Sequence, residues 1–583
     1  MLLRSDLSLI ESVERFTTRL EKIYSPELAR QTAGRIVAEL AVFKKKFSPR
    51  QHERLWDQGD VLLISYGNSI VQEGQLPLWV LARFLEQRLK GFVNVIHLLP
   101  FFPFSSDDGF AVIDYRKVNP LLGDWEDVAR INQSFELMFD LVINHVSSHH
   151  GWFEQFIRDE LPGKNYFITP PPQAELGKVV RPRESPLLTP VATAAGKKSV
   201  WTTFSADQVD VNFANPDVLL EYVRILLDYL AKGARIIRLD AIAFLWKESA
   251  TSCMNLPQTH EFVRLLRELL DAAVPQTLLL TETNVPHQQN VSYFGDSDEA
   301  HMVYQFSLAP LLLHSLFRGN ARYLNHWARR CCLTPPGCTF LNFTASHDGI
   351  GMRPLEGLLP QGEIDLLLKG MEQFGGQISY RTNNDGSKSA YEINITYFDA
   401  LKGTWLGEDS WQIARFLLAQ TLMLGLRGIP AFYIHSLLAT PNDYAGVEKG
   451  GRARLINRHS WDLGELENLL GDFQTPQAIV FNELRRRIKI RQQQAAFHPD
   501  ARQQIIHLGD HVCGFWRYSP DGRERILAIH NITDQLRPLY LAGPLEGKLS
   551  GRWQGLLTGE EVNGLQATVQ LPPYHVLWLK QVE

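Results

Sequence analysis

ARIIRLDAIAFLWKE, residues 234–248, begins as an apolar β run with Ile236, Ile237 and Leu239, yet it carries Arg238 and Asp240 where the run should be most buried. Removing a lone carboxylate from water is costly unless it is paired or at work. On a strand, residues two apart point to the same face, so Arg238 and Asp240 share one side. The pair is either a structural salt bridge or a charge held ready for chemistry. Its neighbourhood has to decide.

That neighbourhood is a series of similar runs. DVLLISYG (60–67), FVNVIHLLPF (92–101), ELMFDLVINH (136–145), ARIIRLD (234–240), QTLLLTET (276–283), MVYQFSL (302–308), CTFLNFTASHD (338–348) and GIPAFYI (428–434) are continuous, not alternating, in their apolar residues. Such runs suit parallel strands buried on both faces. Helical patterns separate several of them, as in PDVLLEYVRILLDYLAKG (216–233) and THEFVRLLRELLDAA (259–273). The fold class expected is α/β: a (β/α)8 TIM barrel with two inserted loop-rich domains and a C-terminal all-β domain.

The barrel is expected in three parts, residues 59–145, 215–348 and 413–494, interrupted by an inserted domain at 146–214 and a second at 349–412. Both insertions leave where strands end, and in such barrels that rim builds the active site. Residues 1–58 read as an N-terminal helical extension, with Leu7, Ile10, Val13 and Phe16 at three- and four-residue spacing. Hairpin-like β runs mark 495–583 as the C-terminal domain.

Composition narrows the function. Hydrophobic residues at 45% and charged residues at 21% are ordinary for a globular protein, and the net charge of -5 leaves no electrostatic footprint for nucleic acid or an anionic membrane. No run of about 18 apolar residues occurs. Five cysteines, with Cys331 and Cys332 adjacent and no C-x-x-C pair, fit neither a disulfide framework nor a thiolate zinc site. The N-terminus has charges inside its apolar stretch and no signal-type cleavage site. The expectation is a cytoplasmic protein with small-molecule partners, neither nucleic acid nor membrane; oligomeric state is not fixed, and a homodimer is compatible with the sequence.

Polar residues gather at the strand ends: Asp107 and Asp108 after the second run, Asn144 and His145 at the third, Arg238 and Asp240 on the fourth, Glu282 on the fifth, His347 and Asp348 on the seventh. Unrelated structural pairs have no reason to collect on one rim. Retaining glycosyl transfer needs a nucleophilic carboxylate and an acid/base carboxylate about 5 Å apart, and neighbouring strands lie roughly 4.8 Å apart. Asp240 and Glu282 fit, with Arg238 keeping Asp240 ionised and Glu282 carrying the proton. A metal site is the rival reading of the histidines, but no H-x-x-x-H or H-x-H spacing supports it. No metal or cofactor is expected.

DLVINH (140–145), IRLDAIAF (237–244), TETN (281–284) and SHDGIG (346–351) resemble the four sequence regions of the α-amylase superfamily, glycoside hydrolase family 13. LPFFPFSSDDGF, NHVSSHHGWF, RPRESPLLTP, VWTTFSADQVDVNF and INRHSW extend the resemblance to its sucrose-phosphorylase subfamily. SSDDGF, ETNVPH and NDYAGVEK are similar to a branch whose glucosyl acceptor is D-glycerate. The resemblance implies Asp240 as nucleophile, Glu282 as acid/base and Asp348 as transition-state stabiliser. It also implies Asp107, His145, Arg238, His347 and Arg458 around the glucosyl unit, with Phe110 and Phe204 as apolar walls. Arg183 and Tyr391 would serve phosphate, giving α-glucose 1-phosphate with retention, without calcium.

At the acceptor end the sequence departs from sucrose phosphorylases. Lys388, Tyr391 and Glu392 lie in KSAYEIN (388–394) where those enzymes have L-D-L-Y-Q-V-N, and Phe244 replaces their usual Tyr. Sucrose is disfavoured. Lys388, or Arg183, would favour a carboxylate-bearing acceptor such as D-glycerate, whereas an unpaired Glu392 would favour glycerol hydroxyls. A retaining α-glucosidase and a non-catalytic amylase-like binding protein are the remaining alternatives.

Overall fold

The computed structural model describes residues 4–48, 52–330, 333–383, 387–540, 551–563 and 568–582. Cys331 and Cys332 lie outside them. Each of the eight apolar runs supplies one barrel strand: β1 (Leu62–Ser65), β2 (Val95–Leu98), β3 (Glu136–Val142), β4 (Ala234–Asp240), β5 (Leu278–Thr281), β6 (Met302–Tyr304), β7 (Thr339–Phe343) and β8 (Ile429–Tyr433). They pair in chain order and close through β1 against β8, all parallel. With both faces covered, these strands hold scarcely an exposed side chain.

Register sets the rim. Asp140 on β3 stands opposite Arg238 on β4, and Val142 opposite Asp240. Thr281 of β5 pairs with Leu239, and the Glu282 amide donates to the Leu239 carbonyl at 3.1 Å. Asp240 and Glu282 therefore sit side by side on neighbouring strand ends.

Two helices open the chain, α1 (Arg4–Leu20) and α2 (Pro26–Lys46). They form a clasp over the outer helical layer: Arg19 pairs with Glu261 at 2.9 Å and Glu268 at 2.8 Å, and Glu39 with Arg224 at 2.7 Å. Phe16, Leu20, Ala33 and Ile36 fill the seam. The segment after β3 carries a hairpin, Leu188–Thr193 with Gly196–Trp201. The segment after β7 carries a three-stranded sheet in which Lys388–Asn394 lies between Ile350–Gly351 and Gln377–Thr382.

The C-terminal part is a six-stranded antiparallel sheet with an additional two-stranded one. It docks on the barrel helix Gln412–Gly425, where fully buried Arg517 and Arg491 donate to the carbonyls of Gly425 and Leu424 at 2.8 and 2.9 Å. Cations there satisfy the orphan carbonyls of a helix end. Among the described residues no helix is long and apolar enough to cross a membrane.

Candidate active site

A pocket opens at the carboxyl ends of the strands. Asp107, Phe110, His145, Arg183, Phe204, Asp240, Phe244, Glu282, His347, Asp348, Tyr391 and Glu392 all line it. Arg238 and Arg458 do not: each lies behind the wall, and Lys388 lies away from it altogether. Arg454, Arg353 and Gln208 line it as well, although the sequence reading passed them over.

Beneath the pocket runs a chain of charges. His97 Nε2 is 2.6 Å from Asp140 Oδ2, Arg238 Nη1 donates to Asp140 Oδ1, and the same nitrogen donates to Asp240 Oδ1 at 2.8 Å. The guanidinium also lies 5.7 Å from the ring centres of Phe110 and Tyr304. Arg238 thus holds Asp240 through Nη1. Burial would raise Asp140, but His97 and Arg238 hold its carboxyl below the usual range. The clue in the sequence was Asp140 itself, a carboxylate inside FDLV on an otherwise apolar strand.

Asp240 and Glu282 are both raised. Burial pushes Asp240 up to about 8, with neighbouring Glu282 adding to it and Arg238 pulling against it. Glu282 is lifted by burial and by Asp348, again against Arg238. Ala241 is in the left-handed region at φ 53, which turns its N–H to Glu282 Oε2 at 3.3 Å. A non-glycine residue held there stores strain, and such strain clusters at working sites.

Asp348 has a different environment. Burial opposes its charge, yet Arg454, at 2.5 Å from Oδ1, together with Arg458 holds it far below the usual carboxylate range. Arg454 also donates from Nε to Glu392 Oε2 at 3.0 Å. Glu392, whose pairing the sequence left open, is therefore neutralised.

The walls are aromatic and neutral. His347 stacks on Phe110 with centroids 4.9 Å apart, and burial drops its pKa to about 3. His145 is lowered by burial too, and its Nε2–H donates to the Phe110 carbonyl at 3.0 Å. Phe204 meets Phe244 edge-on at 5.4 Å. Asp107, Asp108 and Gly109 follow one another at φ 54, 49 and 119. A Cβ on Gly109 would fall 2.4 Å from the Pro100 carbonyl oxygen, so only glycine lets the SSDDGF turn present Asp107 to the pocket and Asp108 outward to Arg452 and Arg458.

Lys388 forms an exposed pair with Glu184 at 2.8 Å, its side chain 62% accessible. Lys388 starts the segment at its solvent end, and burial deepens along it until Tyr391 and Glu392 reach the pocket. No cluster of His, Cys, Asp and Glu suited to a metal occurs among the described residues.

Comparison with known proteins places this geometry. Residues 89–323 match the α-amylase catalytic domain family. The chain is 40% identical over 569 residues to glucosylglycerate phosphorylase of Escherichia coli K12, covering 97% of this chain and 100% of that protein. It is 42% identical to glucosylglycerate phosphorylase of Allomeiothermus silvanus, covering 94% and 96%. The crystal structure of sucrose 6F-phosphate phosphorylase from Thermoanaerobacter thermosaccharolyticum has the same fold, with a TM-score of 0.70 at 24% identity over 86% of this chain and 98% of that one. The chain belongs to glycoside hydrolase family 13, the α-amylase superfamily, within its branch of glycoside phosphorylases.

Proposed function

We propose that the protein catalyses the reversible phosphorolysis of 2-O-(α-D-glucosyl)-D-glycerate to α-D-glucose 1-phosphate and D-glycerate, with retention through two displacements. The observation that carries this reading is Asp240, gripped at Oδ1 by Arg238 and set beside Glu282 in a pocket with Arg183 and Tyr391 at its wall. The relatives at 40 and 42% identity carry the same activity in their names.

Asp240 and Glu282 share one proton near neutrality, since two adjacent buried carboxylates resist ionising together. It resides on Glu282, because Asp240 receives the charge-assisted bond from Arg238 whereas Glu282 accepts only the long bond from Ala241. Asp240 Oδ2, left free, attacks the anomeric carbon as Glu282 gives its proton to the departing glycerate oxygen. Asp348, held ionised, stabilises the oxocarbenium-like transition state. Phosphate then takes the vacated position, loses a proton to Glu282 and attacks the same carbon, freeing Asp240. Phe110, Phe204, His145 and His347 enclose the glucosyl unit with Asp107, and exclude water so that phosphate is the acceptor.

The partners are an α-glucoside and inorganic phosphate. Buried free thiols at Cys253, Cys338 and Cys513 support a reducing, cytoplasmic setting. The pairing of Glu392 with Arg454 removes the argument for glycerol, leaving glycerate as the acceptor. The test is incubation of glucosylglycerate with and without phosphate: glucose 1-phosphate appears only with phosphate, and glucose release indifferent to phosphate would mark a glucosidase instead.

A further inference from the structure

Of the two side chains expected to read a carboxylate, Arg183 lines the pocket and is also the one assigned to phosphate, whereas Lys388 faces solvent beside Glu184. Another cation occupies the pocket. Arg353, in the turn just after Ile350–Gly351, is 8% exposed and lines the cavity with Arg183 and Tyr391. We propose that Arg353 is the receptor for the acceptor's carboxylate and so the residue that selects glycerate over glycerol, an inference that rests on the function proposed above.

Three observations support it. First, Arg353 is poorly neutralised. Its ion-pair partner Glu356 stands 3.7 Å away, half-exposed, and is shared with Arg381 at 3.1 Å. Arg353 Nε has no hydrogen-bond partner among the described residues, and Nη1 reaches only the Met254 sulfur at 3.9 Å. Arg454, the comparable guanidinium in the same pocket, is instead clamped between Asp348 and Glu392. A buried cation without close counter-charge is costly, and an incoming anion offsets that cost.

Second, its position is fixed. Ile350 and Gly351 pair with Ile393 and Glu392, and the Met352 amide donates to the Tyr391 carbonyl at 2.9 Å. The backbone leading into Arg353 is therefore pinned to the segment that carries Tyr391 and Glu392, and a planar fork on a fixed backbone loses less freedom on meeting a carboxylate. Third, burial and then nearby Arg381 disfavour its charge and outweigh the support from Glu356 and Tyr391, an environment in which an added anion is favourable.

The experiment measures synthesis from α-glucose 1-phosphate with D-glycerate or glycerol as acceptor, taking the ratio of the two kcat/KM values so that effects on the shared donor step cancel. Wild type favours glycerate. Arg353→Met lowers the glycerate-to-glycerol ratio about 10- to 100-fold, the worth of a charge-assisted hydrogen bond, with glycerol turnover retained. Arg353→Lys, a point charge without the fork, gives an intermediate ratio. A ratio unchanged in Arg353→Met, whether both rates stay intact or both fall together, overturns the role of Arg353 while leaving the phosphorylase reading in place. A wild type that prefers glycerol overturns the acceptor assignment itself.

Discussion

Arg238 Nη1 lies 2.8 Å from Asp240 Oδ1, and the same nitrogen is bonded to Asp140 on the neighbouring strand. One guanidinium thus fixes the orientation of Asp240 and leaves its Oδ2 for the sugar. Asp140→Asn keeps the shape but weakens the anchor. We expect kcat to fall about 100-fold, the scale of a small misplacement of a reacting group, with KM changed less than threefold. Steady-state kinetics at saturating phosphate checks it.

The shared proton sets a pH limb. With Asp240 raised to about 8, the pair loses its last proton in that region, and without it Glu282 has nothing to give the leaving group. kcat/KM for glucosylglycerate is expected to be level near neutrality and to fall tenfold per pH unit above about 8. Removing the cation by Arg238→Met moves the residual limb to higher pH, because Arg238 is what pulls Asp240 down.

Arg454 neutralises two buried carboxylates, so its loss has a structural and a chemical consequence. Arg454→Met leaves Glu392 without its ion pair and Asp348 with only the more distant Arg458, and we expect a stability loss of about 3–5 kcal/mol in urea unfolding. The double variant Arg454→Met/Glu392→Leu recovers part of that stability. It does not recover activity, since Asp348 still lacks its strongest counter-charge.

Gly109→Ala places a methyl 2.4 Å from the Pro100 carbonyl at φ 119. The turn has to shift, costing about 1–3 kcal/mol and moving Asp107 and Phe110 with it. Thermal melting and an increased KM for glucosylglycerate are the readouts.

The barrel was legible because its strands are buried on both faces: unbroken apolar runs leave little choice of element, and Asp240 and Glu282 followed from where two of those runs end. Residues brought in from the segments between strands were harder. GRARLINRH (451–459) holds Arg452, Arg454 and Arg458 close together, and nothing local tells that Arg454, as well as Arg458, turns inward. Arg454 does so because it has Asp348 and Glu392 to meet, both distant in sequence. Lys388 misled for the opposite reason: a charge near the pocket in sequence found Glu184 at the surface. His97 and Asp140 carried a signal, polar residues within buried strands, that the single motif R-L-D overshadowed.

Glu282→Gln mixed with α-glucosyl fluoride, a donor whose leaving group needs no proton, separates the first displacement from the second. Intact-mass and peptide analysis is predicted to find one glucosyl residue esterified to the peptide carrying Asp240. A Glu282→Gln enzyme that turns the fluoride over with no adduct, or with the adduct on another side chain, would contradict Asp240 as the nucleophile.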